Sequence, residues 1–189
     1  EKEVAEKKER VAERQAESDR DLQKALPALK AAEDALNTLN RNNLTELKSF
    51  ATPPAAILKV TATIQILLSP PNRVPRDRTW RAAKSMIGDV GVFLNTLLNY
   101  DKNHIPESSL KAVEEYLRDP DFNPDAIRRV SLAAAGLCAW AINIVQYYRV
   151  YCEVEPKRLA AEEATEQLRQ TEDQFNATQA KLAVNRLIL

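Results

Sequence analysis

The sequence predicts an all-α protein, in which a small globular head of about six helices lies at the tip of an antiparallel two-helix coiled-coil stalk. Segments with the spacing of a coiled-coil seam lie at both ends of the chain. The stretch between them has the mixed apolar content of a globular core. The whole sequence of 189 residues holds only three glycines, and runs of the β-branched residues that favour strands are nearly absent.

The entering segment, residues 1–40, is predicted to be one long charged helix. Its apolar residues recur in alternating steps of three and four, which is the seam of a coiled coil. The seam consists of Leu22, Ala25, Leu29, Ala32, Leu36 and Leu39. Only Val4, Val11 and some alanines extend it toward the start of the chain. Pro27 interrupts the segment, and because proline removes a backbone donor and crowds the preceding turn, we expect a kink there.

The returning segment, residues 158–189, and the end of the head that leads into it repeat the pattern with one apolar residue every seven. That seam consists of Val154, Ala161, Leu168, Phe175, Leu182 and Leu189. Small or polar residues alternate with these, namely Ala164, Thr171, Thr178 and Asn185. Such residues specify the register of pairing weakly, so alternative registers are expected to differ by only about a few kcal/mol. Pro156 is expected to bend this helix as Pro27 bends the other.

The middle, residues 41–157, is predicted to form the head. The first helical pattern continues through Leu44 and Phe50 and stops at Pro53 and Pro54. A second helix is predicted over 54–68, followed by a basic loop over 73–78 and a helix from Thr79 that is loosened by two glycines. A further helix is predicted over 106–117. The last begins at Asn123 and Pro124, a favourable cap and first residue, and is expected to run almost unbroken into the returning segment.

The net charge is zero, but it is unevenly distributed. From Arg41 to Lys157 there are 15 Lys and Arg against 12 Asp and Glu, and the remaining segments have the opposite imbalance. A slightly basic head suits an acidic partner. Because both ends stop inside heptads without caps, we expect the sequence to be a piece of a longer stalk.

Enzymatic chemistry has little support in the sequence, and no cofactor or metal is predicted. The chain has one histidine, His104 in a polar turn, and it lacks a glycine-rich phosphate loop or a metal-spaced group of Cys and His. Cys138 and Cys152 lie about 21 Å apart along one predicted helix, too far to form a disulfide. Trp80 and Trp140 are predicted core residues. No apolar run has the length of a membrane span, and no membrane is expected as a partner.

Basic residues are the candidates for binding. Arg41 and Lys48 are seven residues apart, so they share a helix face. Arg128 and Arg129 are predicted to lie in the first turns of the last helix, where the helix dipole disfavours cations. A further group crowds twelve residues with only one acid, Asp77, among them: Arg73, Arg76, Arg78, Arg81 and Lys84. Nucleic acid is disfavoured as a partner, because exposed aromatics do not alternate with these cations and the net charge is not strongly basic.

Several segments resemble the microtubule-binding domain and distal stalk of dynein heavy chains. They are Pro27 to Leu29, Leu44 to Pro54, Asn123 to Trp140, and Val154 to Pro156. The similarity covers nearly the whole chain in order. Asn42 to Phe50 and Ala134 to Trp140 are most similar to an axonemal, outer-arm heavy chain of the beta type.

The resemblance implies that the head binds the groove between α- and β-tubulin. It implies that the affinity is coupled to a distant AAA+ ATPase ring elsewhere in the heavy chain, and that the protein acts in the axoneme of a cilium or flagellum. It implies contacts through the first, third and sixth helices of the head. The matching positions are Arg41, Lys48, Arg81, Lys84, Arg128 and Arg129, of which Arg129 is the strongest candidate. Pro27 and Pro156 would be junction residues, and Asp125 would restrain the basic side chains in a weak-binding state.

The chain departs from that pattern in places. Asn40 and Ala139 stand where cytoplasmic relatives carry lysine, so part of the basic surface is missing. The connection from Ser69 to Thr79 is too short for the flap that some axonemal relatives insert. The alternatives left open are a coiled-coil-capped interaction module with a partner other than tubulin, a nucleic-acid-binding hairpin, and an enzyme whose site is not recognisable.

Overall fold

A computed structural model describes the backbone of residues 2–188 and the side chains of residues 4–184. Within that range the chain forms eight α-helices and no strand, which confirms the predicted all-α class. The helices are α1 (Lys2–Asn37), α2 (Arg41–Ser49), α3 (Ala55–Leu67), α4 (Trp80–Ile87), α5 (Val90–Leu98), α6 (Glu107–Leu117), α7 (Pro124–Arg128) and α8 (Leu132–Ile188).

Backbone contacts divide the chain into two compact units. One contains residues 1–24 and 150–189, and the other contains residues 25–149. Six of the helices, α2 to α7, lie entirely within the second unit. The division predicted from the sequence, at residues 40 and 157, remains a prediction.

In the first unit the two long helices pair in antiparallel fashion. Lys8 forms an ion pair with Glu172, and the Nζ of Lys157 lies 3.3 Å from the Oδ2 of Asp21. The early part of α1 therefore pairs with the late part of α8, and the two helices run in opposite directions. A hydrogen bond from Lys24, together with a smaller effect of one from Lys157, holds the pKa of Asp21 below its usual value. This pairing follows from two amphipathic helices burying their apolar stripes against each other.

The seam of this unit packs unevenly. Val154 and Ala161 are buried, Leu168 is half-buried, and Phe175 and Leu182 are 42% and 60% exposed. Small residues of α1 face this part of α8. Val4 and Ala5 lie beside Phe175 and cover little of its ring. The predicted seam position Leu189 and the side chain of Asn185 lie outside the described residues.

The second unit holds the main hydrophobic core. Helix α3 is at its centre, with an unbroken buried run from Val60 to Leu67. Trp140 is 2% exposed and meets the ring of Tyr100 edge-on, at 5.2 Å between centroids. Cys138 is buried as a free thiol, and burial raises its pKa to about 12. The other cysteine, Cys152, is also free and is exposed.

Side-chain caps define where these helices begin. Asn40 accepts a hydrogen bond from the N–H of Asn43, so α2 starts as a helix separate from α1. Asp89 accepts from the N–H groups of Gly91 and Val92, so the helix predicted from Thr79 is two helices, α4 and α5. The expected loosening at the two glycines is thus a complete break.

The prediction of a last helix that starts at Asn123 was wrong. Helix α7 ends at Arg128, and α8 starts only at Leu132. The hydroxyl of Ser131 accepts a hydrogen bond from the N–H of Ala134, and serine is among the strongest N-capping residues, so a new helix starts there. Arg128 and Arg129 therefore lie at the carboxyl end of α7, where the helix dipole favours cations, and not in the first turns of α8.

Both prolines singled out in the sequence lie inside helices that continue past them. Pro27 is within α1 and Pro156 within α8. The kinks expected there remain predictions. Among the described residues no helix is long and apolar enough to cross a membrane, and no group of His, Cys, Asp and Glu could hold a metal ion.

Candidate binding surface

The six predicted contact residues are carried by α2, α4 and α7. Arg41 is the first residue of α2 and Lys48 lies in its last turn. Leu44 and Leu47 of the same helix are fully buried and fix its orientation on the core. The amphipathic pattern of α2 thus presents its two basic residues away from the core while its leucines anchor it.

Helix α2 packs beside the junction between α4 and α5. The ammonium of Lys48 donates a 2.7 Å hydrogen bond to the carbonyl of Gly88, which ends α4. A guanidinium nitrogen of Arg41 lies 2.8 Å from the point where a Cβ on Gly91 would be. A side chain at position 91 would displace the flexible end of Arg41 from this place.

Asp89 is the acid of this junction. Hydrogen bonds from the N–H groups of Val92 and Gly91 lower its pKa, and the nearby charges of Arg41 and Lys48 lower it further. The sequence analysis did not select this residue, because it read the two glycines only as a loosening of one helix. An aspartate two residues before a glycine, at the start of an apolar run, was the available signal for a helix cap.

Helix α4 supplies the second pair of predicted residues, both exposed. Lys84 lies over the ring of Trp80, 6.0 Å from its centroid, and this arrangement attracts the cation to the ring face. The indole N–H of Trp80 donates a 2.9 Å hydrogen bond to the carbonyl of Phe50, directly after α2. Helices α2 and α4 are thereby tied together, and Trp80 is half-buried rather than a full core residue.

Helix α7 carries the third pair. Asn123 caps it by accepting from the N–H of Asp125, and Ile127 is buried beneath it. Arg128 and Arg129 are both exposed. Arg128 also lines a cleft of about 470 Å³ together with Asn43 of α2, so α2 and α7 border the same depression. The structure thus places α2 and α7 at the border of one cleft, and packs α2 against α4.

These cations differ from their neighbours in being left without ion pairs. Outside the six predicted residues and the basic loop, four of the unit's six basic side chains are matched with acids: Lys59 with Asp119, Lys111 with Glu107, and Arg118 and Arg149 with Glu114. Lys30 and Lys102 have no such pair among the described residues. Within residues 4–184 no such pair involves the six predicted residues, nor Arg73 or Arg76 of the basic loop. Arg78 of that loop is bonded to the carbonyl of Pro75 and the hydroxyl of Tyr116. The unmatched positive charge is therefore concentrated on α2, α4, α7 and the basic loop.

The predicted role of Asp125 has no contact to support it so far. Its side chain is exposed, and among the described residues no ion pair links it to Arg128 or Arg129. Its restraining role remains a prediction. His104 is exposed and pairs with Asp101 at 2.9 Å, away from the basic helices in sequence.

Comparison with known proteins identifies the family. The family model described as the microtubule-binding stalk of dynein motor matches residues 1–187. The chain is 53% identical to a ciliary dynein beta chain of Tripneustes gratilla over 89% of its length, and 56% identical to dynein axonemal heavy chain 11 of Sus scrofa over 92%. It spans only about 4% of the length of either relative.

A solved structure supports the same assignment. It is titled the microtubule binding domain of dynein-c, with a TM-score of 0.60 and 39% sequence identity, and the match covers 75% of this chain and 96% of that one. The fold is therefore the one that the resemblance implied. This chain belongs to the family of microtubule-binding stalks of dynein motors.

Proposed function

We propose that this chain binds microtubules as the stalk tip of an axonemal dynein, with α/β-tubulin and the rest of the heavy chain as its partners. The relatives it matches are named as ciliary, axonemal and flagellar heavy chains. The family segment that it matches is the stalk, not an ATPase module. Hydrolysis of ATP then belongs to a ring elsewhere in the heavy chain, and the place of action is the axoneme of a cilium or flagellum.

The proposed contact surface consists of α2, α4 and α7, with Arg41, Lys48, Arg81, Lys84, Arg128 and Arg129 as its contact residues. The observation that carries this proposal is the concentration of unmatched cations on these three adjoining helices. A cation already paired inside its own chain gains little from a second acid. An unmatched one gains the full contact with an acidic partner.

Such a surface would bind modestly and reversibly. Contacts between exposed charges contribute only about 0.2–1 kcal/mol each, and salt screens them, with a Debye length of about 8 Å at physiological ionic strength. Six contacts of this kind hold a head on its track while allowing it to leave in every cycle. Weak, salt-sensitive binding is what a stepping motor requires.

A zero-length carbodiimide reagent tests where the surface lies, because it joins a lysine amine to a carboxylate in direct contact. In a complex with polymerised microtubules, we expect Lys48 and Lys84 to become linked to tubulin. Lys59 and Lys111 are the matched controls, since each already pairs with an acid of its own chain, and they should give links within the chain. Links to tubulin at the control lysines, with none at Lys48 or Lys84, would contradict the proposed surface.

We further propose that the affinity is set by the register of the coiled coil, through which the distant ATPase ring would act. Weak seam positions support this, because Phe175 and Leu182 are largely exposed while Val154 and Ala161 are buried. A seam with few deep knobs has no strong preference among registers. Chains locked in two different registers should therefore bind microtubules with different affinities.

A further inference from the structure

The segment that joins α7 to α8 contains a pattern of which microtubule binding accounts only for the two arginines. Two arginines, one apolar residue, a serine and a second apolar residue follow each other: Arg128, Arg129, Val130, Ser131 and Leu132. Basophilic serine/threonine kinases recognise substrates by arginines two and three residues before the acceptor, through acidic subsites, and by an apolar residue directly after it. We propose that Ser131 is a phosphorylation site for a kinase of this class, and that the phosphate weakens microtubule binding.

The side chains that such a kinase would read are accessible. Arg128 and Arg129 are exposed and have no ion pair among the described residues. Val130 and Leu132 are 42% and 58% exposed. The recognition elements therefore lie on the surface before any rearrangement.

The acceptor itself is held by few bonds. Ser131 is 8% exposed, and its hydroxyl accepts from the N–H of Ala134. The turn around it is held by that bond and by backbone bonds from Arg129, Val130 and Ser131 to Ile127 and from Ala135 to Ser131. Extending it would also open the adjoining turns of α7 and α8. Opening of this size, beside a five-residue helix, is local and does not require the core to unfold.

No other hydroxyl of the chain has the same context. Thr79 follows Arg76 and Arg78, but Asp77 lies two residues before it, where the kinase would require a cation. Ser85 follows Lys84, with its nearest arginine four residues away. Ser131 is the one Ser or Thr in the sequence with basic residues at both the second and third preceding positions.

The reaction is an ordinary phosphoryl transfer from ATP. A bond forms between the Ser131 Oγ and the γ-phosphorus of ATP, the bond from that phosphorus to the β–γ bridging oxygen breaks, and ADP leaves. The hydroxyl proton passes to the catalytic base of the kinase. The phosphoserine formed at position 131 carries a charge of about −2 at pH 7.

The new charge falls where it disturbs the proposed contact surface while leaving the fold intact. At the N-terminus of α8 a phosphate is favoured by the helix dipole. Arg128 and Arg129, which directly precede it, can form charge-assisted hydrogen bonds to its oxygens. The two cations are then occupied within the chain, and the added negative charge repels an acidic partner.

The test treats the whole chain with ATP and the catalytic subunit of cyclic-AMP-dependent protein kinase, maps the phosphate by mass spectrometry, and measures co-sedimentation with microtubules. We expect near-complete modification at Ser131 and binding about tenfold weaker. The matched variant is Ser131→Asn, which keeps a capping oxygen for α8. It should take no phosphate at that position and should bind as the unmodified chain does, before and after treatment.

Two outcomes would overturn the inference. One is the absence of phosphate at Ser131 after prolonged treatment of the folded chain, and the other is complete phosphorylation with unchanged co-sedimentation. The effect on binding rests on the proposed function, whereas the mapping does not. If the unmodified chain fails to bind microtubules, the proposed function fails, and the mass spectrum still decides whether Ser131 is modified.

Discussion

At the scale of single residues, the junction between α4 and α5 determines what two of the basic side chains can do. Lys48 is bonded to the carbonyl of Gly88, and Arg41 lies against Gly91. Asp89 lies between those glycines, and the charges of both cations lower its pKa. It therefore has two effects, since it caps α5 and it also reduces the positive charge that α2 offers to a partner.

Substitution of Asp89 by asparagine separates these two effects. Asparagine keeps an oxygen for the N–H groups of Gly91 and Val92 but removes the charge. We expect Asp89→Asn to bind microtubules a few-fold more tightly at low salt, and the gain to fade as salt screens it. Co-sedimentation across a salt series measures this, with Asp101→Asn, an exposed acid beside His104, as the matched control.

The same variant has an expected pH signature. Because the pKa of Asp89 is lowered in the folded chain, its stabilising contribution is complete above its unfolded pKa of about 3.9. The contribution is lost as the pH falls through the folded value. Asp89→Asn should lack this acid-dependent loss of stability.

Unchanged microtubule affinity at low salt in Asp89→Asn would contradict the affinity prediction. It would show that the charge of Asp89 does not reduce the binding of Arg41 and Lys48 to a partner.

The sequence predicted the basic residues but not their surroundings. Arg41 and Lys48 stand out from their spacing, which puts them on one helix face, and Arg81 and Lys84 from the crowding of positive charge around them. Asp89 does not stand out, since its role depends on α2 packing against a junction that is forty residues further along the chain. A contact of this kind is set by tertiary packing and leaves no local pattern.

At the scale of helices, the first unit, residues 1–24 and 150–189, has a polar residue at a buried position where an apolar residue would pack better. Ser18 is 1% exposed, and its hydroxyl has no hydrogen-bond partner in the described part of the chain. It lines a small cleft with Lys157, Ala160 and Ala161. An unpaired buried hydroxyl costs about 1–3 kcal/mol, so this register is less favourable than an all-apolar seam would make it.

Cross-linking tests whether register controls affinity. In a Cys152→Ser background, Asp21→Cys with Lys157→Cys would fix the register seen here, in which these two side chains pair. Asp21→Cys with Glu153→Cys would fix a register displaced by about one helical turn. After reaction with a short thiol-specific cross-linker, we expect the two chains to differ about tenfold or more in microtubule affinity.

The uncross-linked form of each double variant is its own control. Both should bind equally before the cross-linker is added. Equal affinities after cross-linking would show that register does not set binding, and that the weak seam only reflects exposure to solvent.

Helix boundaries were predictable where sequence signals are local. Asn123 and Pro124 correctly indicated that a helix starts there, which is α7, and the two glycines indicated a weak point in the helix from Thr79 but not the complete break between α4 and α5. The break before α8 was missed, because Val130 and Leu132 suit a helix and only the cap formed by Ser131 ends the pattern. Serine inside an apolar run does not reveal by itself whether it caps or continues a helix.

At the scale of the whole molecule, the pattern of apolar residues was enough to predict the all-α class, because both seams and the near absence of glycine exclude most alternatives. The resemblance to dynein stalks then named the family, which the comparisons confirm. Composition could not name tubulin, since a surplus of three positive charges suits any acidic partner. What the structure adds is the position of the cations that remain unmatched.

The central claim is that α7, together with α2 and α4, forms the surface that meets the microtubule. Its most direct test is co-sedimentation of Arg129→Glu with microtubules across a salt series, beside Arg118→Glu. Both arginines are exposed residues that follow the last residue of a short helix, and they differ in that Arg118 pairs with Glu114 of its own chain. We predict affinity roughly tenfold lower for Arg129→Glu and nearly unchanged for Arg118→Glu. Equal affinities for the two variants, with both chains folded, would contradict the account.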